Sequence, residues 1–376
     1  MAKLKIISVV GARPNFMKVA PIHRQFLRYP YVVQHQICHT GQHYDYEMSK
    51  VFFDDLGLPQ PDFYLNVGSG THGEQTGKIM IEFEKVCFEA QPDLVIVVGD
   101  VNSTIAATLT ACKLGIKTAH IEAGLRSFDR TMPEEINRIA TDSICDYLFV
   151  TEESGFKNLL REGHSPDQIF FVGNTMIDSL VFILPKIDES QIITKLHLDG
   201  KDFALMTLHR PSNVDNFEQL SNIIEVIEFI CYRLHLVLPL HPRTRKNIEN
   251  FGLDEKLRSI SNLIITEPLG YMDFVKLMKH SKFVITDSGG IQEETTYLGI
   301  PCITMRTTTE RPITCEIGTN ILVPPSKEKL TNAVQNVLDN SSRWKEKKIP
   351  PLWDGKTSER IVDIILNKCF INRVKV

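Results

Sequence analysis

The chain has 376 residues, 43% hydrophobic and 23% charged, enough apolar material for sizeable cores and, at roughly 100–200 residues per domain, for two of them. A net charge of −4 at pH 7 leaves no basic footprint for nucleic acid, and no run approaches the ~18 uninterrupted apolar residues of a membrane span. The eight cysteines lie far apart, from Cys38 to Cys369, without C-x-x-C or zinc-ligand spacing, and the apolar start of MAKLKIISVVGARPN ends at Gly11 with no cleavage site after it, so a cytoplasmic protein is expected.

Short continuous apolar runs alternate with stretches of helical period, the pattern of buried parallel strands joined by helical crossovers. LKIISVVG, VVQHQICHTG, DLVIVVGD, KTAHIEAG, DYLFVTE and IFFVGN read as six strands. Between them PNFMKVAPIHRQFL, THGEQTGKIMIEFEKV, NSTIAATLTACKLG and PEEINRIATDSIC read as helices. A second series follows, FALMTLH, HLVLPLH, LIITEP, KFVITDSG, PCITMR and NILVPP. The expected fold is therefore α/β, two Rossmann-like doubly wound domains facing a cleft, spanning 1–180 and 181–356. The boundary is expected in the polar stretch from Pro185 to Asp202 or in the helix just before it, and the final helix, 357–376, either closes the second domain or packs back on the first.

Open parallel sheets bind ligands beyond the carboxyl ends of their strands, so polar residues there carry the most information. The first strand leads into GARPNFMK, with Arg13 and Lys18 near a helix start; DLVIVVGD ends at Asp100, with Asn102 or Ser103 as cap of the next helix. The KTAHIEAG strand ends in HIEAGLRSFDRTMPEE, which holds His120, Glu122, Arg126, Asp129, Arg130, Glu134 and Glu135. In the second series, His209 and Arg210, then His241, Arg243 and Arg245, then Arg306, Glu310 and Arg311 follow strands.

TDSGGIQEE has two readings: a glycine-lined helix N-terminus that lets a phosphate approach, with Glu294 facing sugar hydroxyls, or a Ser-capped helix whose acids favour its dipole. GSGTHG matches a dinucleotide fingerprint only literally, since PQPDFYLNV before it has two prolines and no long apolar run; it reads as a loop capping the next helix. No redox cofactor and no metal cluster is implied. Each strand-end charge alone is most often a solvated one; together, acids and histidines facing phosphate-binding features suggest a nucleotide-sugar enzyme.

The strings GARPNFMK, HTGQHYD, VVGDVNST, HIEAGLRSFDRTMPEEINR, FVGNTMID, TLHRPSNVD, TDSGGIQEE and TTTERP, in that order, resemble the non-hydrolysing UDP-N-acetylglucosamine 2-epimerases over about residues 4 to 365. That resemblance implies the glycosyltransferase-B architecture and interconversion of UDP-N-acetylglucosamine and UDP-N-acetylmannosamine, through elimination of UDP to 2-acetamidoglucal and re-addition, without a cofactor. It implies Asp100, Glu122 and Glu134 as the proton-transfer set at C2, with the face served by each left open, and His209 beside the diphosphate as donor or proton source. Arg13, Lys18, Phe274, Ser288, Gly289, Gly290, Glu294 and Arg311 are the implied substrate-binding residues: Ser288 to Gly290 for the diphosphate, Glu294 for ribose, Phe274 by the uracil.

Some bacterial members hold a second UDP-N-acetylglucosamine as activator, for which Gln42, His43 and His241 lie in suitable segments, and the family is often dimeric. The chain departs from many relatives in carrying Ala12 and Asn15 in place of Thr and Glu, and Ser212 in place of Glu. Rival readings are a hydrolysing 2-epimerase, an epimerase of a UDP-diacetamido-uronate, a UDP-sugar glycosyltransferase of the same architecture, and a non-catalytic sugar-nucleotide sensor.

Overall fold

The computed structural model describes residues 3–41, 56–340 and 348–374, apart from the side chains of Arg13 and of 369–374. The chain divides into two units, Met1–Phe182 together with Pro351–Val376, and Ile183–Pro350.

The first unit is built on β1 (Leu4–Val10), β2 (Val33–His39), β3 (Phe63–Tyr64), β4 (Leu94–Val98), β5 (Lys117–Ile121), β6 (Tyr147–Val150) and β7 (Ile169–Phe171). They form one sheet in the order β3-β2-β1-β4-β5-β6-β7, with parallel pairing throughout. Every residue of β4, LVIVV, is buried, as in a strand covered on both faces. On one face Ile7, Val9, Val95 and Val97 pack with Phe83 and Val86 of the helix His72–Ala90 and with Ala107 and Ala111 of the helix Asn102–Lys113. Both crossovers thus bury their apolar stripe on the sheet.

Two local expectations need correction. A seventh strand, β3, lies in the segment set aside for its prolines; it is two residues long and sits at the edge, where only one neighbour has to be paired. Neither Asn102 nor Ser103 caps its helix, whose N-cap is Val101 without a side-chain bond. Both side chains turn elsewhere: Asn102 bonds Gln75 at 2.8 Å, and the Ser103 hydroxyl lies 2.8 Å from that of Thr40.

The second unit holds β8 (Phe203–Met206), β9 (His235–Pro239), β10 (Leu263–Thr266), β11 (Val284–Thr286), β12 (Cys302–Thr304) and β13 (Asn320–Leu322), in the order β10-β9-β8-β11-β12-β13 and again parallel. Successive residues of β8 divide between two cores: Ala204 and Met206 pack with the helix Phe217–Cys231, while Phe203 and Leu205 pack with Leu277 and Met278 of the helix Tyr271–His280.

The break between units falls at the end of the helix Thr175–Ile183, before the polar stretch. That stretch is not a linker: Ile192 and Leu198 join the second unit's core, and the Ser190 hydroxyl donates to Asp273 at 2.5 Å. Pro351–Val376 belongs to the first unit. There Trp353 Nε1 donates to the Thr151 carbonyl at 3.0 Å, and the buried Asp178 carboxylate accepts from the backbone N–H groups of Thr357 and Ser358 at 3.0 and 2.7 Å, capping the helix Thr357–Val374.

Candidate functional site

In each sheet the strand order reverses once, between β1 and β4 in the first unit and between β8 and β11 in the second. These switch points are where an open α/β sheet offers a crevice at its carboxyl edge. Lys18 and Asp100 follow β1 and β4, and His209 and Ser288 to Gly290 follow β8 and β11, whereas Glu122 follows β5, Phe274 follows β10 and Arg311 follows β12.

At the first switch point Lys18, from the helix Arg13–Phe26, places its ammonium 2.6 Å from Glu122 Oε2. Both are buried, and Glu122, directly after β5, holds a left-handed backbone with φ of 74°. Such a conformation costs a non-glycine residue on the order of 1–3 kcal/mol and persists only where its surroundings enforce it. Here the lysine and the bond from Glu122 N–H to the Phe149 carbonyl, at 3.1 Å, do so. Gly99, with φ of 68°, lies under the lysine: a Cβ there would stand 2.9 Å from Lys18 Nζ.

Asp100 follows, partly exposed, in a close ion pair with Arg138 of the helix Pro133–Ile144, whose Nη2 also lies 3.8 Å from Glu122 Oε1. Arg138 is fully buried, and its Nε and Nη1 have no hydrogen-bond partner among the described residues. Sequence reasoning assigned Arg138 no role, although it stands one helical turn after Glu134.

The adjacent acids Glu134 and Glu135 differ completely. Glu134 is exposed in the first turn of its helix. Glu135 is buried and accepts from Ser127 N–H, the Ser127 hydroxyl and Phe128 N–H at 2.8, 3.0 and 3.0 Å, so it is committed to holding the preceding loop. His120 is likewise committed, with Nδ1 2.6 Å from Asp142 and Nε2 2.8 Å from the Gly99 carbonyl. Burial alone would raise the Asp142 carboxyl, but His120 and Arg126 outweigh it and hold the group below its ordinary range. The departure at Asn15 has a local reason: its amide oxygen accepts from Gly11 and Ala12 N–H and its NH2 donates to the Val98 carbonyl, a combination that a glutamate cannot supply. The Arg13 side chain and both Gln42 and His43 lie outside the described residues.

At the second switch point His209 follows β8 and Asp287 follows β11. His209 Nδ1 stands 2.6 Å from Asp287 Oδ1, while Oδ2 accepts from the backbone N–H groups of His209 and Arg210 at 2.9 and 2.8 Å. Asp287 is fully buried, which opposes ionisation, but the bonds from His209 and these amides prevail and depress its carboxyl. Asp287 is the second residue that sequence reasoning passed over. The signal was available, since it is the last residue of KFVITD. The His241 ring lies 5.6 Å from that of His209, and its Nδ1 caps the helix Pro242–Asn250.

Ser288 is the N-cap residue of the helix Gly289–Leu298, yet its side chain makes no capping bond, and no acid lies in the first turn. The Ser-capped, dipole-favouring alternative is thereby excluded. Ser288, Gly289 and Gly290 are half-buried. Glu294 is buried and accepts from the Tyr271 hydroxyl at 2.7 Å; burial pushes its carboxyl up to about 7, against the opposing bond from Tyr271. Phe274, in the helix Tyr271–His280, is half-buried against the core. Arg311 is buried, paired with Glu293 at 2.7 Å and lying 3.5 Å from Glu310. Among the described residues no group of three or more His, Cys, Asp or Glu side chains is arranged to hold a metal, and no helix is long and apolar enough to cross a membrane.

Residues 27–366 match the family model for UDP-N-acetylglucosamine 2-epimerase. The enzyme of that name from Methanocaldococcus jannaschii is 46% identical over 367 residues, 96% of this chain and 99% of its own. Its crystal structure in complex with UDP-GlcNAc and UDP gives a TM-score of 0.89, covering 97% of this chain and 100% of that one. A UDP-2,3-diacetamido-2,3-dideoxy-D-glucuronate 2-epimerase from Pseudomonas aeruginosa is 41% identical over 340 residues, 89% of this chain and 92% of its own. With the family model spanning most of the sequence and the two sheets wound as described, the chain belongs to the UDP-N-acetylglucosamine 2-epimerase family.

Proposed function

We propose that the chain epimerises UDP-N-acetylglucosamine to UDP-N-acetylmannosamine at C2 and back, without hydrolysis. The observation that carries this reading is the buried cluster of Lys18, Glu122 and Arg138 with the partly exposed Asp100, two carboxylates and two cations at one switch point. The C2 proton is not beside a carbonyl, so its removal needs C1 to become electron-poor as UDP departs. A carboxylate of the Asp100, Glu122 and Glu134 set takes that proton. The C–H electron pair forms the C1–C2 double bond, and the C1–O pair leaves with UDP.

The products of this half are 2-acetamidoglucal and UDP. Protonation of C2 from the opposite face and attack of a phosphate oxygen on C1 restore a UDP-sugar, so neither water nor an oxidant enters the balance. Acid and base groups on both faces of C2, and charge stabilisation at the leaving diphosphate, are what such a path requires. His209, oriented by Asp287 through Nδ1, serves the diphosphate with Nε2. Ser288 to Gly290 and Arg311 hold the diphosphate, Glu294 with Tyr271 the ribose, and Phe274 lies by the uracil. Arg13 and Lys18 add binding charge in the first unit. A homodimer with a UDP-N-acetylglucosamine activator at His241 belongs to the same reading.

Incubation with UDP-N-acetylglucosamine in D2O, followed by NMR, tests it. UDP-N-acetylmannosamine carrying deuterium at C2 is the expected product. Free N-acetylmannosamine would establish the hydrolysing reaction instead. The diacetamido-glucuronate relative, at 41% identity, makes the corresponding uronate the second substrate to try. Turnover of that sugar alone would move the specificity to it and leave the chemistry in place.

A further inference from the structure

Gly289 and Glu293 stand one turn apart on the helix Gly289–Leu298, so they share a face. A Cβ on Gly289 would lie 2.7 Å from Arg311 Nη1 and 3.2 Å from its Cζ. The room left by the missing side chain is therefore filled by a guanidinium. Glu293 holds that guanidinium through Nε at 2.7 Å, and Glu310 Oε2 lies 3.5 Å from Nη1. Glu310 in turn takes both ends of the Arg306 guanidinium, at 2.9 and 2.8 Å, and all four charged side chains are buried.

A cation against the first turn of a helix opposes the dipole, which favours negative charge there. Two buried carboxylates nevertheless fix Arg311 in that place. The arrangement is consistent if guanidinium and helix N-terminus are to meet one anion together, since a planar fork and a row of backbone N–H groups bind phosphate oxygens cooperatively. We propose that Gly289 and Glu293 are positioning residues for Arg311: the glycine clears the seat, the glutamate sets the guanidinium in it, and Arg311 receives the diphosphate. The inference rests on the reading above that this unit holds UDP, and it changes the meaning of the motif. Gly289 makes way for a side chain of the protein, and only through that side chain for the ligand.

A double-mutant cycle on the full-length chain, read by calorimetric titration with UDP, tests the proposal. Gly289→Ala is expected to fold as wild type, because the added methyl meets the far end of a flexible side chain and Gly289 has no left-handed φ. It should weaken UDP binding by about 10-fold or more. Arg311→Met should cost a similar factor, and adding Gly289→Ala to it should change affinity by less than about 2-fold. Glu293→Gln should also weaken UDP binding and show the same dependence on Arg311.

If Arg311→Met fails to fold with Glu293 deprived of the guanidinium it holds, Arg311→Lys replaces it in the cycle. Equal losses from Gly289→Ala on both backgrounds would overturn the proposal, because the glycine would then be admitting phosphate itself. So would wild-type affinity in the Arg311 variant. A wild-type chain that binds no UDP overturns the parent reading instead.

Discussion

Replacing Asp287 by Asn is the sharpest test of the second switch point. The substitution preserves shape in a fully buried site but removes the charge that faces His209 Nδ1 at 2.6 Å. An amide has one acceptor oxygen. Kept toward the N–H groups of His209 and Arg210, at 2.9 and 2.8 Å, it turns its NH2 on Nδ1, so the carboxylate that orients the imidazole is replaced by a competing donor. A charge-assisted hydrogen bond of this kind contributes roughly 1.5–3 kcal/mol, and at ~1.4 kcal/mol per factor of ten, kcat for epimerisation falls by about 10- to 150-fold.

KM should stay within about threefold, because Asp287 acts through His209 on the departing diphosphate. Initial rates in both directions by NMR, with the pH profile of each variant, measure the effect. The sign with pH follows from the depressed Asp287 carboxyl: its contribution to stability is complete above the ordinary aspartate range and is lost only as pH falls through its lowered value. Asp287→Asn should therefore be less stable than wild type at neutral pH and approach it in acid. Wild-type kcat in Asp287→Asn would refute the reasoning. Equally damaging would be a loss from Asp287→Asn that persists undiminished when His209 is already Asn.

Three further outcomes follow from the same geometry. Glu294, raised by burial from 4.5 to about 7, contributes stability below its ordinary range that is lost as pH rises through about 7, on the order of 3 kcal/mol at most; Glu294→Gln should melt above wild type near pH 8.5, lose that advantage near pH 5, and bind UDP more weakly, as calorimetry would show. The adjacent acids should behave oppositely: Glu134→Gln lowers turnover by about 10²- to 10⁴-fold at unchanged melting temperature, while Glu135→Gln strands loop donors and loses ~2–4 kcal/mol in denaturant titration. Arg138→Met should reduce kcat by about 10²-fold with UDP affinity retained in calorimetry, and Arg138→Lys should restore part of it by returning a cation to Asp100.

The strands were legible because parallel strands covered on both faces are written as unbroken apolar runs: LVIVV needs no context to be recognised. Where context decides, reading fails. β3 depends on β2 for its existence, and its two residues carry no period of their own. The stretch from Pro185 to Asp202 looks like a linker by composition, yet its few apolar residues, Ile192 and Leu198 among them, are spent on the second core. At the strand ends, the motifs single out loops but not how the residues within them are partnered. Glu134 and Glu135 are identical in chemistry and differ only by the turn between successive helical residues, which sends one outward and the other beneath the loop. Arg138 and Asp287 were missed for a related reason, since each matters for a partner distant in sequence, 38 and 78 residues away.

The two switch points share one construction. After β4, Gly99 leaves room for the Lys18 ammonium, held by Glu122; after β11, Gly289 leaves room for the Arg311 guanidinium, held by Glu293. In both cases the cation comes from another part of the chain, and in both a buried glutamate fixes it. The reason is geometric. An anionic ligand at the carboxyl edge of a parallel sheet is met by backbone N–H groups of the turn, and a cation can reinforce them only by lying against that turn, where any Cβ would intervene. Unpaired, the buried cation would be too costly to keep, so a carboxylate accompanies it. In both turns the glycine marks a neighbouring cation, and the buried glutamate that holds that cation completes the arrangement.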